Sequence, residues 1–494
     1  LLKNKYQKNN MLKIEVKYIA YIILAVAFAG CDTPFFSPRE NYQTPFEQTD
    51  GTKSSSYEEV IDYYKDLSKE FASISFKTME QTDNGQPLHL VIYSPDAEFN
   101  LSKYHKDRTI VFINNAIHGN EPDGVDATML LFRNLAQNEI KLSKNVIVVT
   151  IPVYNIGGML TGKKNSEANY NLNCDFVKAD VENTLSFAKI LQEVQPDIFI
   201  DNHVTDVANA SYVLSYSTSQ IEKLGVFTGG YVRDALLPRL SQQLEKRQLP
   251  FQSDSLRTPF KQLTLSSHPD IPRYATGYVS LWNCMSIRIN TNGQKPYKQR
   301  VEANYEMMKT LVEIADADNQ YIKQVKIKQT EADNAQKEYS LEWEIDSTQY
   351  TKVDEKPLYN HFKPVQSVSI PQNYIVPKVW QRVIDRLKAN GVAITEIEKD
   401  TLMNVTSYRI ESFKTYTYPF EGHYLHHQTQ VSPQKEKVQL YKGDYLIEVA
   451  QPAKHYLLET LEPQAPDSFF NWNFFDSVLG KEEDKPIYPI YRKE

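Results

Sequence analysis

Thr109-Ile110-Val111-Phe112-Ile113-Asn114 runs directly into Asn115-Ala116-Ile117-His118-Gly119-Asn120-Glu121-Pro122-Asp123-Gly124, and this passage from apolar strand to polar loop decides the architecture. The first six residues form a continuous β-branched and apolar run, the mark of a strand buried on both faces, as in a parallel sheet. A His and a Glu three apart then sit at its C-terminal end, where open α/β sheets form their sites. Imidazole nitrogen and carboxylate oxygen are ordinary Zn²⁺ ligands, and a catalytic zinc takes three protein ligands with a fourth position left for water. Taken alone, His-x-x-Glu equally describes a structural histidine beside a helix-capping carboxylate, so a third ligand must come from elsewhere.

Working outward, strands and helices alternate. Tyr57 to Phe71 reads as an amphipathic helix and Leu88 to Tyr93 as a strand. Asp123 to Ala136 is helical, Asn145 to Val153 a second fully apolar strand, and Glu182 to Val194 another helix. Pro196 to Ile200 leads a strand into Asp201-Asn202-His203, Cys284 to Ile289 reads as a further strand, and Arg300 to Ala315 closes the unit with a helix. This alternation predicts an α/β domain with a mostly parallel central sheet between helix layers. His203 ends a buried strand just as His118 follows one, so it is the leading third ligand, 203 − 121 = 82 residues after Glu121.

At 494 residues the chain is long enough for two or three cores. The composition around Asp316 to Lys337 turns to Asp, Asn, Gln, Lys and Glu, which reads as a linker or an exposed connecting helix over 318–345. A smaller α+β domain over 346–494 follows. It is predicted to hold a helix from Pro377 to Ala389 with Gly391 past its end, and strands Val438 to Tyr441 and Tyr445 to Ala450 around a Lys442-Gly443-Asp444 turn. Glu421-Gly422-His423 with His426 and His427 is a conceivable metal cluster there, but without a helix this spacing suits surface or packing roles and stays outside the site.

Apolar residues make up 41% and charged residues 24%, values of a folded body rather than a polytopic membrane protein or a disordered chain. A net charge of −7 repels a phosphate backbone, so nucleic acid is not an expected partner. Met11 reads as the true start, followed by Lys13, Lys17 and the apolar run Tyr18 to Ala29, which ends in Phe28-Ala29-Gly30-Cys31. The run is signal-peptide sized, shorter than the roughly 18–20 residues that span a bilayer, and small residues before Cys31 resemble a bacterial lipoprotein cleavage box. Residues 1–31 are thus expected to be a lipoprotein signal that leaves lipid on Cys31 and anchors the exported chain to a membrane of the cell envelope. An ordinary secretory signal or short membrane anchor is the alternative. The Pro-, Ser- and Thr-rich segment 32–56 reads as a flexible tether. With only Cys174 and Cys284 remaining, no disulfide framework is expected.

Four stretches in order, His118-Gly119-Asn120-Glu121-Pro122-Asp123-Gly124, Asn169 to Phe176 (NYNLNCDF), Asp201 to Asp206 (DNHVTD), and the strand before Lys295 to Val301 (KPYKQRV), resemble the carboxypeptidase A-like zinc metallocarboxypeptidases. The resemblance spans residues 57–317 and implies a mixed central sheet between helix layers. It also implies Zn²⁺ on His118, Glu121 and His203, and a peptide or peptide-like ligand. Two departures accompany it. The family's general-base glutamate, normally followed by Thr, is replaced in Ser286-Ile287-Arg288-Ile289-Asn290-Thr291 by Asn290, and an amide cannot take a proton from water. The family's Asn-Arg pair for the terminal carboxylate is replaced by Asn173-Cys174, which lacks the bidentate guanidinium fork. A shortened loop from Gly157 to Asn169 offers Lys163 or Lys164 in its place, Asp206 or Glu302 could stand in for the base, and Cys174 could serve as an extra metal ligand or redox thiol. Arg288 shares a strand face with Asn290, so the cleft gains a cation that either holds an anionic ligand or pairs with an acid such as Asp206.

Overall fold

A computed structural model describes residues 42–253, 270–346, 348, 351–353, 356–358, 361–480 and 485–494. The expected signal segment and the lipid site at Cys31 lie outside the described residues, and no described helix is long and apolar enough to cross a membrane.

Eight strands form the main sheet: β1 (Ile74–Gln81), β2 (Pro87–Tyr93), β3 (Thr109–Asn114), β4 (Val146–Ile151), β5 (Ile198–Thr205), β6 (Leu214–Thr218), β7 (Phe251–Ser253) and β8 (Met285–Asn292). Their spatial order is β1-β2-β4-β3-β5-β8-β6-β7. The centre β4-β3-β5-β8 is parallel, while β1, β2 and β6 pair antiparallel at the flanks, so the sheet is mixed. The continuous apolar runs read from the sequence are the central strands, and every residue of β3 and β4 is buried. Helices α1 (Tyr57–Glu70), α2 (Asp123–Ala136), α3 (Glu182–Val194) and α4 (Tyr297–Ala317) supply the layers. Ser56 and Glu59 close a capping box on α1, which starts it at Tyr57. The result is the carboxypeptidase-like α/β class that the sequence implied.

Contacts divide the chain after Gln43, and Thr44–Glu494 cohere as one compact unit. Within it, two segments differ from the sequence reading. The tether expected over 32–56 is folded from Thr44 onward: Thr44 and Glu47 cap a short helix (Pro45–Gln48), Glu47 pairs with Arg133 at 2.6 Å, and the Ser55 hydroxyl donates to buried Asp126 at 2.5 Å. Its Ser, Thr and Pro residues are caps and turn formers rather than solvated linker. Of the two alternatives for residues 318–345 the helix is present, but it is packed rather than exposed. These residues form helix α5 (Asn319–Ala335) and strand β9 (Glu338–Ile345). Asn319, Ile322, Val325, Gln329 and Asp333 make a buried stripe at helical spacing, and Lys323 and Lys326 hold Asp197 at the foot of β5. The polar composition there serves buried pairing.

β9 pairs with β10 (Phe362–Ser369). Six antiparallel strands build the second sheet: β11 (Asn373–Val376), β12 (Thr395–Glu396), β13 (Thr401–Thr415), β14 (His426–Leu440), β15 (Tyr445–Glu448) and β16 (Tyr491–Lys493), in the order β12-β15-β11-β16-β13-β14. Helix α6 (Gln381–Ala389) starts four residues later than predicted, because Pro377 lies in a preceding turn, while Gly391 follows it at φ 69° as expected. Buried Arg273 joins this region to the main sheet: its Nε donates to Asp467 at 2.8 Å, and its backbone N–H to the same carboxylate at 2.9 Å.

Candidate metal centre and cleft

The candidate centre grows from three strand ends. After β3 the chain turns through Ala116, a non-glycine residue at φ 51°, and this costly left-handed step re-aims His118 and Glu121 over the sheet edge. Gly124 lets α2 approach β5, since a Cβ there would lie 2.3 Å from the Cβ of Asn202. That close approach brings Glu121 beneath His203, whose strand neighbour is in direct parallel register with β3.

His118 Nδ1 stands 2.8 Å from Glu121 Oε1, and His203 Nδ1 stands 3.1 Å from Glu121 Oε2. The donor atoms of these three residues all lie within 4.8 Å of one another, and among the described residues they are the group able to hold a metal. The remaining ring nitrogens are occupied from behind. His203 Nε2 faces Asp201 Oδ2 at 2.8 Å, and His118 Nε2 faces Asn171 Oδ1 at 3.2 Å. An acceptor at each Nε2 favours the proton there, so that with a metal bound both Nδ1 lone pairs would be free to serve as ligands. Two imidazole nitrogens and one carboxylate, two of them from the segment after β3 and the third from β5, fit Zn²⁺.

Burial opposes ionisation of Glu121, yet its contacts with His118 and His203 hold the carboxyl well below the usual range. The same burial lowers His118. For His203, burial and the nearby Arg288 work against protonation but are outweighed by Asp201 and Glu121, which raise it. The Val204 N–H fixes Glu121 Oε2 at 3.0 Å. Asp201 and Asn171 were missed in the sequence, although Asp201 stands two residues before His203 on one strand and so faces the same way.

Asn290 lies directly opposite His203 in the β5–β8 register, and Arg288 opposite Asp201. The Asn290 Oδ1 accepts from Arg288 Nε at 3.1 Å and from the Thr205 hydroxyl at 3.3 Å. Among the described residues no acid forms an ion pair with Arg288, and Asp206 instead sits exposed against Gly293. Glu302 is exposed on α4 with its charge felt by Lys298, away from this centre. Asn173 spends its Oδ1 on the backbone N–H of Ala275 at 3.1 Å, starting the helix Ala275–Ser280. Cys174 and Cys284 are free buried thiols, and burial pushes the Cys174 thiol up to about 12. Cys174 is outside the metal group. In the shortened loop, the Lys164 carbonyl accepts from Gly119 N and Asn155 Nδ2, and the Lys164 charge is felt by both His118 and Cys174.

The segment set aside in the sequence, Glu421-Gly422-His423, also reaches the loops around Asn171 and Asp180. It forms the turn between β13 and β14, and Glu421 Oε2 accepts from Asn171 N at 3.2 Å while His423 Nε2 meets Asp180 at 2.8 Å. No sequence signal could assign a residue 250 positions away to Asn171.

A mixed sheet whose parallel strands carry His-x-x-Glu and a distant histidine at one edge has a metallocarboxypeptidase-like fold with a candidate metal centre. Sequence comparison agrees. The chain is similar to carboxypeptidase 2 of Trichophyton tonsurans, with 20% identity over 483 residues, covering 90% of this chain and 88% of that protein. It is likewise 20% identical over 421 residues to carboxypeptidase 2 of Trichophyton rubrum, covering 77% and 76% of the two chains. Among solved structures, carboxypeptidase A from Helicoverpa armigera aligns at TM-score 0.43 and 15% identity over 54% of this chain and 74% of that one. A metallo-carboxypeptidase from Burkholderia cenocepacia aligns at 0.41 and 16% over 53% and 69%. No family model matches.

Proposed function

We propose that this chain is a zinc metallocarboxypeptidase-like protein of the bacterial cell envelope, anchored through lipid on Cys31, that binds peptides at the centre and hydrolyses them slowly. The relatives' names support a carboxypeptidase ancestry, the three-ligand group supports zinc, and the cleavage-box pattern ending at Cys31 supports the anchor. Zinc held by His118, Glu121 and His203 would polarise a carbonyl and acidify water. The chain's own residues then limit the reaction. The observation that carries this reading is Asn290: it occupies the place beside His203 where a base belongs, yet its oxygen accepts from Arg288 and Thr205. An amide there positions ligands but stores no proton, and a missing general base costs about 10² to 10⁴ in rate.

A second reading, a non-catalytic surface protein that holds a peptide or other carboxylate ligand at zinc, is favoured by Cys174, which brings no positive charge to the cleft. One experiment separates the two. Zinc content is measured, and C-terminal hydrolysis of a mixed peptide library is compared for the native chain, Asn290→Glu and His203→Ala. Slow native turnover, a gain of about 10² or more in Asn290→Glu, and loss of zinc and turnover in His203→Ala are expected. Native turnover equal to that of Asn290→Glu refutes attenuation, and none in either protein favours the binding role.

A further inference from the structure

The turn between β13 and β14 brings to Asn171, a neighbour of His118, a carboxylate that lies outside the metal group. Its backbone is costly at one residue: Glu421 adopts φ 47°, and a left-handed glutamate persists only where its surroundings hold it. They do so on both sides. His423 meets Asp180 at 2.8 Å and packs edge-on against Trp472, while the Phe420 ring lies under the Arg273 guanidinium at 5.3 Å. The turn is therefore fixed to the main domain.

Two of the three cations whose charge reaches Cys174 are committed, while the third, Lys164, is exposed to solvent. Lys178 is held by Asp175 and Asp180, and Arg273 by Asp467. No described cation forms an ion pair with half-buried Glu421, whose one hydrogen bond among the described residues is from Asn171 N. Beside it stands Cys174, a neutral thiol whose own ionisation Glu421 further opposes. Asn171 in turn touches His118, so the carboxylate is one residue removed from the metal ligands.

We propose that Glu421 is the selectivity residue of the cleft and recognises an ammonium group on the peptide ligand. The second domain thereby completes the binding site. This inference rests on the cleft being a peptide site, and the ammonium can come from a lysine side chain or from a free amino terminus.

The test is calorimetric binding to the full chain, zinc-loaded and chelated, with zinc content measured on the same samples. The probes are N-acetyl-Ala-Ala-Lys, N-acetyl-Ala-Ala-norleucine, which lacks only the ammonium, and Ala-Ala-norleucine with a free amino terminus. A charge-assisted hydrogen bond predicts that an ammonium-bearing probe binds about tenfold tighter than N-acetyl-Ala-Ala-norleucine, less so at high salt. The preferred probe shows which ammonium is read. Glu421→Gln removes the preference, and Glu421→Lys turns it against the ammonium, with thermal melting confirming that both variants fold. Equal affinity for all three probes in the native chain, or a preference retained in Glu421→Gln, overturns the proposal and leaves Glu421 a cap on Asn171. Absent zinc with a Glu421-dependent preference would instead sink the metal reading and keep this one.

Discussion

Replacing Asp201 by Asn tests the tautomer logic of the centre without removing a ligand. Asp201 is 1% exposed and divides its two oxygens between neighbours: Oδ2 faces His203 Nε2 at 2.8 Å, and Oδ1 accepts from Asn114 Nδ2 at 3.0 Å. An amide cannot serve both. If its oxygen stays with Asn114, its NH₂ meets His203 Nε2 and drives the ring proton to Nδ1, the nitrogen facing Glu121. If it flips, two NH₂ groups collide. Rotation of Asn114 would restore both contacts only by burying its NH₂ where an Oδ1 without a partner among the described residues now lies, exchanging one unpaired group for another. Loss of such a supporting partner weakens metal sites by roughly 10- to 100-fold. Each tenfold corresponds to about 1.4 kcal/mol, so the expected loss is about 1.4–2.8 kcal/mol. Competition with a chelator of known affinity measures zinc binding, and thermal melting controls for the fold. Native zinc affinity in Asp201→Asn would refute the assignment of Nδ1 as the ligating atom of His203.

Burial pushes the Asp126 carboxyl up to about 6 despite its bonds from Ser55 and Tyr297, so the folded chain retains a proton that the unfolded chain releases near pH 4. That contribution is full below about pH 4 and lost as pH rises through about 6, costing about 3 kcal/mol; urea unfolding of Asp126→Asn should lack this fall, and an unchanged slope would contradict it. Asp467→Ala strands Arg273, which is 2% exposed, and should cost about 3–5 kcal/mol in denaturant unfolding; a loss under about 1 kcal/mol would show that the pair does not join the two sheets.

The sequence alone determined the central strands, because residues buried on both faces must be apolar throughout, and TIVFIN and NVIVVTIPV admit no helical face. It also marked His118 and Glu121, which follow such a strand, and His203, which lies near the end of another, and strand alternation put Arg288 beside Asn290. What it could not supply were contacts between residues far apart in the chain whose types are individually ordinary. Asp201 was within reach, two residues from His203 on one strand, but Asn171 became a His118 partner only through tertiary packing, and the polar stretches 44–56 and 318–345 proved folded because their partners, Arg133, Asp126 and Asp197, lie elsewhere in the chain. Glu421 was the furthest from reach: its arrival at Asn171 depends on the packing of a second sheet against the first, and only tertiary structure decides where such a turn ends.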